Sequence, residues 1–289
     1  MARYRSWLAA GAAIGVFALV SSLSPVNAVV PAFTSPPAGA PFQYQLQTVA
    51  GQFPASGGID VPLCVRPVLG GRCVRAAVFD IDLYEANGVT ANAPAVRAIR
   101  AAGGYAICYV DAGTWESWRP DASAFPPSLL GRPNGWPGER WLDVRHVKVL
   151  LKIMARRVRL CQGAGFQAVE FDNVDGYLNA TGFAITAPQQ ISYNEALATL
   201  AHHDHLAAGL KNDAGQAAVL QPWFNFAIEE QCVQYQFCAS LRPFFSRHKS
   251  VYDVEYVGRP SVFCRSAPRA VDVVGKGLAL FSRPWRPCR

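Results

Sequence analysis

Ala168-Val169-Glu170-Phe171-Asp172-Asn173-Val174-Asp175-Gly176-Tyr177 reads as a buried strand that ends in charge. The apolar run stops at Phe171, and Asp172, Asn173 and Asp175 follow before a glycine. A carboxylate left unpaired at the end of a buried strand is costly. Two of them there point to a site rather than to an accident of packing. In a barrel of parallel strands, reactive groups sit at the strands' C-terminal ends.

Outward from this stretch, apolar strand-like runs alternate with helix-like segments. Strands are expected at 42–48, 76–81, 105–110, 167–171, 209–211, 224–228, 250–254 and 277–281. Helices are expected over 91–102, 147–161 and 192–208, the second amphipathic with Lys and Arg on its outer face, and a helix fills each later gap. Residues 111–143 read as a long loop rich in Trp, Pro and Gly. This is the α/β class, and the alternation fits a single (β/α)8 TIM-type barrel. A doubly wound open sheet would carry a glycine-rich phosphate turn after an early strand, and none is present.

Length and composition agree with an exported barrel. Residues 1–28 have the form of a signal peptide: Arg3 and Arg5, an apolar stretch from Trp7 to Leu23, and a small residue at Ala28. Residues 29–41, with four prolines, read as an extended leader, and 42–289 as the barrel domain with disulfide-closed loops. About 250 residues make one such barrel. The expected location is extracellular, with no stable membrane insertion after cleavage, and a monomer is the default.

The formal net charge is +7, but the basic residues are scattered, which speaks against nucleic acid. An even set of eight cysteines in an exported chain suggests disulfides. The sequence-close pairs are Cys64/Cys73 and Cys232/Cys238. Cys264/Cys288 would tie the last helix to the C-terminus, and Cys108 either pairs with Cys161 or is a small buried residue.

Of 20 Asp and Glu, thirteen fall at the proposed strand ends or just beyond: Asp80, Asp82, Glu85, Asp111, Glu116, Glu170, Asp172, Asp175, Asp213, Glu229, Glu230, Asp253 and Glu255. Some would cap the following helices. Doubled acids such as Asp172/Asp175 and Glu229/Glu230 go beyond capping. Such a rim suits oxygen-ligated metal, two-carboxylate glycoside cleavage, or binding of a cation without chemistry. Trp115, Trp118, Trp136, Trp141, Tyr177 and Trp223 lie in or beside these loops. Flat apolar rings suit the faces of sugars, and a share of these aromatics simply fills the outer layer. His202, His203, Asp204 and His205 lie on a helix, where neighbours diverge, and lack an evident third ligand, so no metal or other cofactor is expected.

With these segments in order, the chain resembles glycoside hydrolase family 114, the endo-α-1,4-polygalactosaminidases. The resemblance is carried by Phe79-Asp80-Ile81-Asp82, by Cys108-Tyr109-Val110-Asp111-Ala112-Gly113 with 115–121, and by 135–143. It continues through Asp172-Asn173-Val174-Asp175-Gly176-Tyr177, Gly209-Leu210-Lys211-Asn212-Asp213, Glu230-Gln231-Cys232 with Cys238, and Val254-Glu255-Tyr256. Asn225 stands where the family often has Asp, and the insertion with Cys64 and Cys73 is atypical. The resemblance implies a barrel that cleaves α-1,4-linked galactosamine polymers, with Asp172 and Glu230 as the catalytic pair.

On that reading Asp172 is the nucleophile and Glu230 the general acid/base, kept protonated near neutral pH by the charges of Glu229 and Asp172. The expected substrate contacts are Asp82, Tyr109, Asp111, Glu116, Asn173, Asp175, Tyr177, Lys211, Asn212, Asp213 and Glu255. Ammonium groups of a partly deacetylated polymer would pair with Asp82, Asp111, Asp175 and Asp213. Carboxyls about 5 Å apart retain configuration and at roughly 6.5–9.5 Å invert it. The rival classes are a non-catalytic module binding cationic polysaccharide and a metal-dependent hydrolase or deacetylase.

Overall fold

The computed structural model describes residues 33–289. The signal peptide and the start of the leader lie outside them. Eight parallel strands follow one another around a barrel: β1 (Phe42–Gln45), β2 (Val78–Asp82), β3 (Tyr105–Asp111), β4 (Ala168–Asp172), β5 (Ala207–Lys211), β6 (Phe226–Glu230), β7 (Val251–Glu255) and β8 (Asp272–Gly275). A final antiparallel pair, Arg286–Pro287 on β8, completes the sheet. Side chains close the seam between β1 and β8: Trp285 Nε1 donates to the Phe42 carbonyl at 2.8 Å, and Lys276 Nζ to Gln43 Oε1 at 2.7 Å. The expected (β/α)8 class is the fold observed.

Residues two apart on a strand share a face, and here that rule sorts chemistry from packing. The inward series Ala168, Glu170, Asp172 on β4 runs beside Gly209, Lys211 on β5 and Phe226, Ile228, Glu230 on β6. The lower barrel is filled by Phe42, Val78, Ile107, Ala168, Phe226 and Val274, all buried. The polar residues form the layers above. Gly209 is required by close approach, because a Cβ there would lie 2.5 Å from the Phe226 ring. The outward residues pack under three full helices: α1 (Ala93–Ala101), α2 (Val147–Ala164) and α3 (Ala187–His203). Asn92 caps α1, accepting from Ala95 N, and Thr186 with Gln189 forms a capping box on α3.

Four expectations on elements change. The eighth strand is Asp272–Gly275 rather than 277–281, and the apolar run Gly277–Phe281 is a loop beside the barrel mouth. Residues 112–143 are not structureless: Thr114–Glu116, Leu130–Pro133 and Glu139–Leu142 form a three-stranded antiparallel sheet. The later gaps hold only short helices, Ala217–Leu220, Arg242–Phe245 and Pro260–Ser266. The helix expected at 192–208 begins and ends earlier, because 207–208 already pair in the barrel.

Four disulfides join Cys64–Cys73, Cys108–Cys161, Cys232–Cys238 and Cys264–Cys288. The open alternative for Cys108 resolves to a bond between β3 and α2. Residues 33–41 run across the N-terminal mouth. Ser250 Oγ donates to the Pro36 carbonyl at 2.7 Å, Tyr252 Oη to that of Pro37 at 3.1 Å, and Gly39 N to Asp272 at 2.9 Å. Among the described residues, no helix is long and apolar enough to cross a membrane.

Candidate active site

At the C-terminal mouth, a cleft of about 790 Å³ is walled on one side by the loop sheet and on the other by 278–281. Asp172 ends β4 and Glu230 ends β6, and both reach it. Asp172 accepts from Tyr109 Oη at 2.8 Å and from the Asn173 amide at 2.8 Å. Glu230 accepts from Asn212 Nδ2 at 2.8 Å and makes a short hydrogen bond with Tyr256 Oη. Asn212 also accepts from the Glu230 amide at 2.9 Å, so one side chain fixes both ends of that residue. Asn173 and Asn212 adopt left-handed backbones, φ 58° and 53°, a region that asparagine tolerates better than most residues. The chain leaves two adjacent strands by the same turn.

Between the two carboxylates lies the Lys211 ammonium, 3.0 Å from Asp172 Oδ1 and 3.3 Å from Glu230 Oε2. The residue is only 1% exposed. Below it, Glu170 Oε1 lies at 3.6 Å and accepts from Tyr44 Oη at 3.2 Å. Burial opposes the lysine's charge, but Asp172, Glu230 and Glu170 together outweigh it and hold Lys211 well above the ordinary lysine range. Burial pushes the Glu170 carboxyl up to about 7. Asp80, deeper still, is held far above the usual carboxylate range by burial and then by its neighbour Glu170.

The remaining predicted contacts divide. Asp82, Tyr109, Glu116, Asn173 and Asn212 line the cleft. Asp82 is held by both terminal nitrogens of Arg119, at 2.8 and 2.9 Å, and Glu116 by its Nε at 2.6 Å. The other six support the site from behind. Asp111 accepts from Asn173 Nδ2 at 2.9 Å, and from Thr114 through its amide and hydroxyl. Asp213 accepts from Tyr177 Oη and Asn194 Nδ2, both at 3.1 Å, and burial lifts it to about 8. Burial lifts Asp175 to about 6. Glu255 accepts from the amides of Val233 and Gln234, securing the short Cys232–Cys238 loop. Lys211 is buried between the carboxylates rather than offered to the cleft.

The acidic rim is therefore smaller than its sequence count. Asp80, Glu170, Glu229 and Asp253 are fully buried. Glu229 points to the outer face of β6, where burial favours its neutral form, so it lends Glu230 little charge. Asp111, Asp175 and Asp213 do not reach the cleft to meet an ammonium group, and Asp82 already has a guanidinium. Arg157, expected on the outer face of α2, is instead buried and clamps Asp121 at 2.8 and 2.9 Å and the Asp111 carbonyl at 2.7 Å.

Arg119, Glu139, Tyr44 and Tyr256 reach the cleft without having been singled out as site residues. Tyr256 carried a signal, being two residues beyond Val254 on the inward face. Glu139 is folded back onto Thr114 and Asn134 by the loop sheet, and burial raises it to about 7. Single oxygens of Asp111, Glu116 and Glu139 lie within 4.8 Å of one another. Arg119, Thr114, Asn173 and Asn134 already engage these three. Trp118 and Trp136 stand 49% and 57% exposed on the cleft wall, whereas Trp141 is buried. His202 hydrogen-bonds Asn225 at 2.7 Å and stacks on Phe33, away from the mouth.

Comparison with known proteins places this geometry in context. The model of glycoside-hydrolase family GH114 matches residues 23–275. A crystal structure of Aspergillus fumigatus Ega3 in complex with galactosamine is 27% identical, covers 87% of this chain and 96% of its own, and superposes with a TM-score of 0.72. The glycoside hydrolase domain of PelA from Pseudomonas aeruginosa, at 10% identity, covers 85% of this chain and 96% of its own, with a TM-score of 0.57, and shares the fold. No curated protein matches the chain.

Proposed function

The chain belongs to glycoside-hydrolase family GH114 and is a glycoside hydrolase, and from that premise we propose that it cleaves α-1,4-linked, partly deacetylated galactosamine polymers outside the cell, with Asp172 as nucleophile and Glu230 as general acid/base. One observation carries the residue assignment. Asp172 and Glu230 share a single ammonium at 3.0 and 3.3 Å. Their nearest oxygens therefore stand no more than about 6.3 Å apart, just under the roughly 6.5 Å at which inverting pairs begin. That spacing leaves little room for a water between carboxylate and sugar and favours retention. The neighbour bound to galactosamine supports the substrate class.

The chemistry follows in two displacements. An Asp172 oxygen attacks the anomeric carbon as the glycosidic C–O bond breaks. The leaving oxygen takes that electron pair and the proton of Glu230. Water then attacks the same carbon, Glu230 removes its proton, and the ester bond's electron pair returns to Asp172. Tyr109 and Asn173 hold Asp172, and Asn212 and Tyr256 hold Glu230, so neither carboxyl need reorganise.

A reducing-end assay on partly deacetylated polygalactosamine tests the reading. Asp172→Asn and Glu230→Gln should each lower turnover by roughly 10²–10⁴-fold or more with folding intact, and proton NMR should show the α-anomer as first product. Wild-type rates in either variant sink the pair. Full loss of activity with a chelator would favour the metal-dependent rival.

A further inference from the structure

The position of Lys211 has a consequence for the order of the two displacements. Three carboxylates from two strands surround its ammonium: Glu170 and Asp172 of β4 and Glu230 of β6. Tyr44 of β1 faces it at 3.5 Å, Tyr256 lies beyond Glu230, and Asp80 of β2 lies below Glu170. Glu170 and Asp80 are held toward their neutral forms by burial. Asp172 at 3.0 Å and Glu230 at 3.3 Å lie nearer the ammonium than Glu170 at 3.6 Å, so the reacting pair supplies its closest counter-charge.

We propose that Lys211 is a positioning residue that switches Glu230 from proton donor to proton acceptor between the two steps. This rests on the assignment of Asp172 and Glu230 above. In the free enzyme Asp172 is the anion opposite Lys211, and Glu230 carries a proton. Once Asp172 has become a glycosyl ester it is uncharged, and Glu230 has given its proton to the leaving group. The same ammonium now faces the Glu230 anion at the other end of a span it already bridges. The buried charge is balanced in both states with no movement of the lysine. An uncompensated buried charge would be strongly unfavourable in either one. Without the ammonium, Asp172 in the first step and Glu230 in the second each lose their counter-ion. An activated leaving group spares the first step its need for the acid, which leaves the second displacement as the slower one.

The test uses Lys211→Met, Lys211→Arg and the full chain, with a galactosamine oligomer carrying an activated aryl leaving group, which needs little help from an acid. Lys211→Met should release a burst of phenol and then turn over at least about tenfold more slowly than its burst phase, with glycosyl-enzyme visible by intact mass. Azide, which attacks the anomeric carbon without needing its proton removed, should restore turnover and give the glycosyl azide. Lys211→Arg should recover part of the lost rate without azide. If Lys211→Met fails to fold, the Lys211→Met/Glu170→Gln double variant removes the unmatched buried carboxylate and carries the same measurements. Equal slowing of both steps, with no accumulated intermediate, no azide response and no recovery by Lys211→Arg, overturns this role alone. An inverted product overturns both it and the assignment on which it rests.

Discussion

Around Asp172, single atoms set how the carboxylate is held. Its two oxygens accept from Tyr109, Asn173 and Lys211, so the anion is fully hydrogen-bonded at a site where desolvation would otherwise penalise it. Tyr109→Phe removes one donor to a charged acceptor, worth about 1.5–3 kcal/mol. The expected result is a fall of roughly 10–100-fold in kcat/KM with an unchanged circular dichroism spectrum. A variant as active as the parent would show that Tyr109 merely fills space. Gly113 belongs to the same scale. A Cβ there would stand 1.6 Å from the Asn173 carbonyl, so the glycine lets β3's exit pass against the turn that carries Asn173. That Asp172 and Glu230 end strands was legible from sequence, because each follows an apolar run, whereas their pairing came from the family resemblance. Arg119 was not legible, because its value lies in reaching Asp82, thirty-seven positions away.

At the scale of elements, the segment between β3 and α2 makes the cleft asymmetric. Its small sheet is pinned from below by Arg157 on Asp121 and holds Trp118, Trp136 and Glu139 on one wall. The opposite wall is the 278–281 loop, whose base is tied by Lys276 to the Phe281 carbonyl at 2.6 Å. Under the proposed function, Trp118 and Trp136 stack sugar rings away from the point of cleavage. Trp136→Ala should then raise KM for long polymers several-fold while kcat falls little. Isothermal titration with an inactive Asp172→Asn background checks it, and unchanged affinity would remove Trp136 from the binding surface. The misplacement of the eighth strand belongs here too. Gly277–Phe281 has a strand's apolarity, but Leu278 and Phe281 spend it on the cleft wall, 63% and 37% exposed, while the shorter Val273-Val274 run is buried in the sheet.

Over the whole molecule, the polar layers inside the barrel tie stability to pH. In an unfolded chain, Asp and Glu ionise near about pH 4. Folding raises Glu170 to about 7 and Asp213 to about 8, in both cases chiefly through burial. Between these values the native state binds more protons than the unfolded one. Their stabilising contribution is therefore full below about pH 4 and is lost as pH rises through about 7 and then about 8. Melting temperature should fall from pH 5 to pH 7, below the range in which buried Lys276, lowered to about 7, opposes the trend, and Asp213→Asn should reduce that decline. A melting temperature that rises over this interval contradicts the assignment.

The sequence by itself determined the barrel, because period-2 apolar runs alternating with amphipathic helices have few other ways to bury their faces. It also determined which strands end in carboxylates, since an acid after a buried run is a local event. The four cysteine pairs were nearly readable for the same reason, being close in sequence or on facing elements. Only the tertiary structure decided which acids face the cleft, which are neutralised by burial, and where Lys211 stands. Those depend on the distance between side chains from β1, β2, β4, β5 and β6, and Coulomb energy and desolvation follow separation in space, not position along the chain.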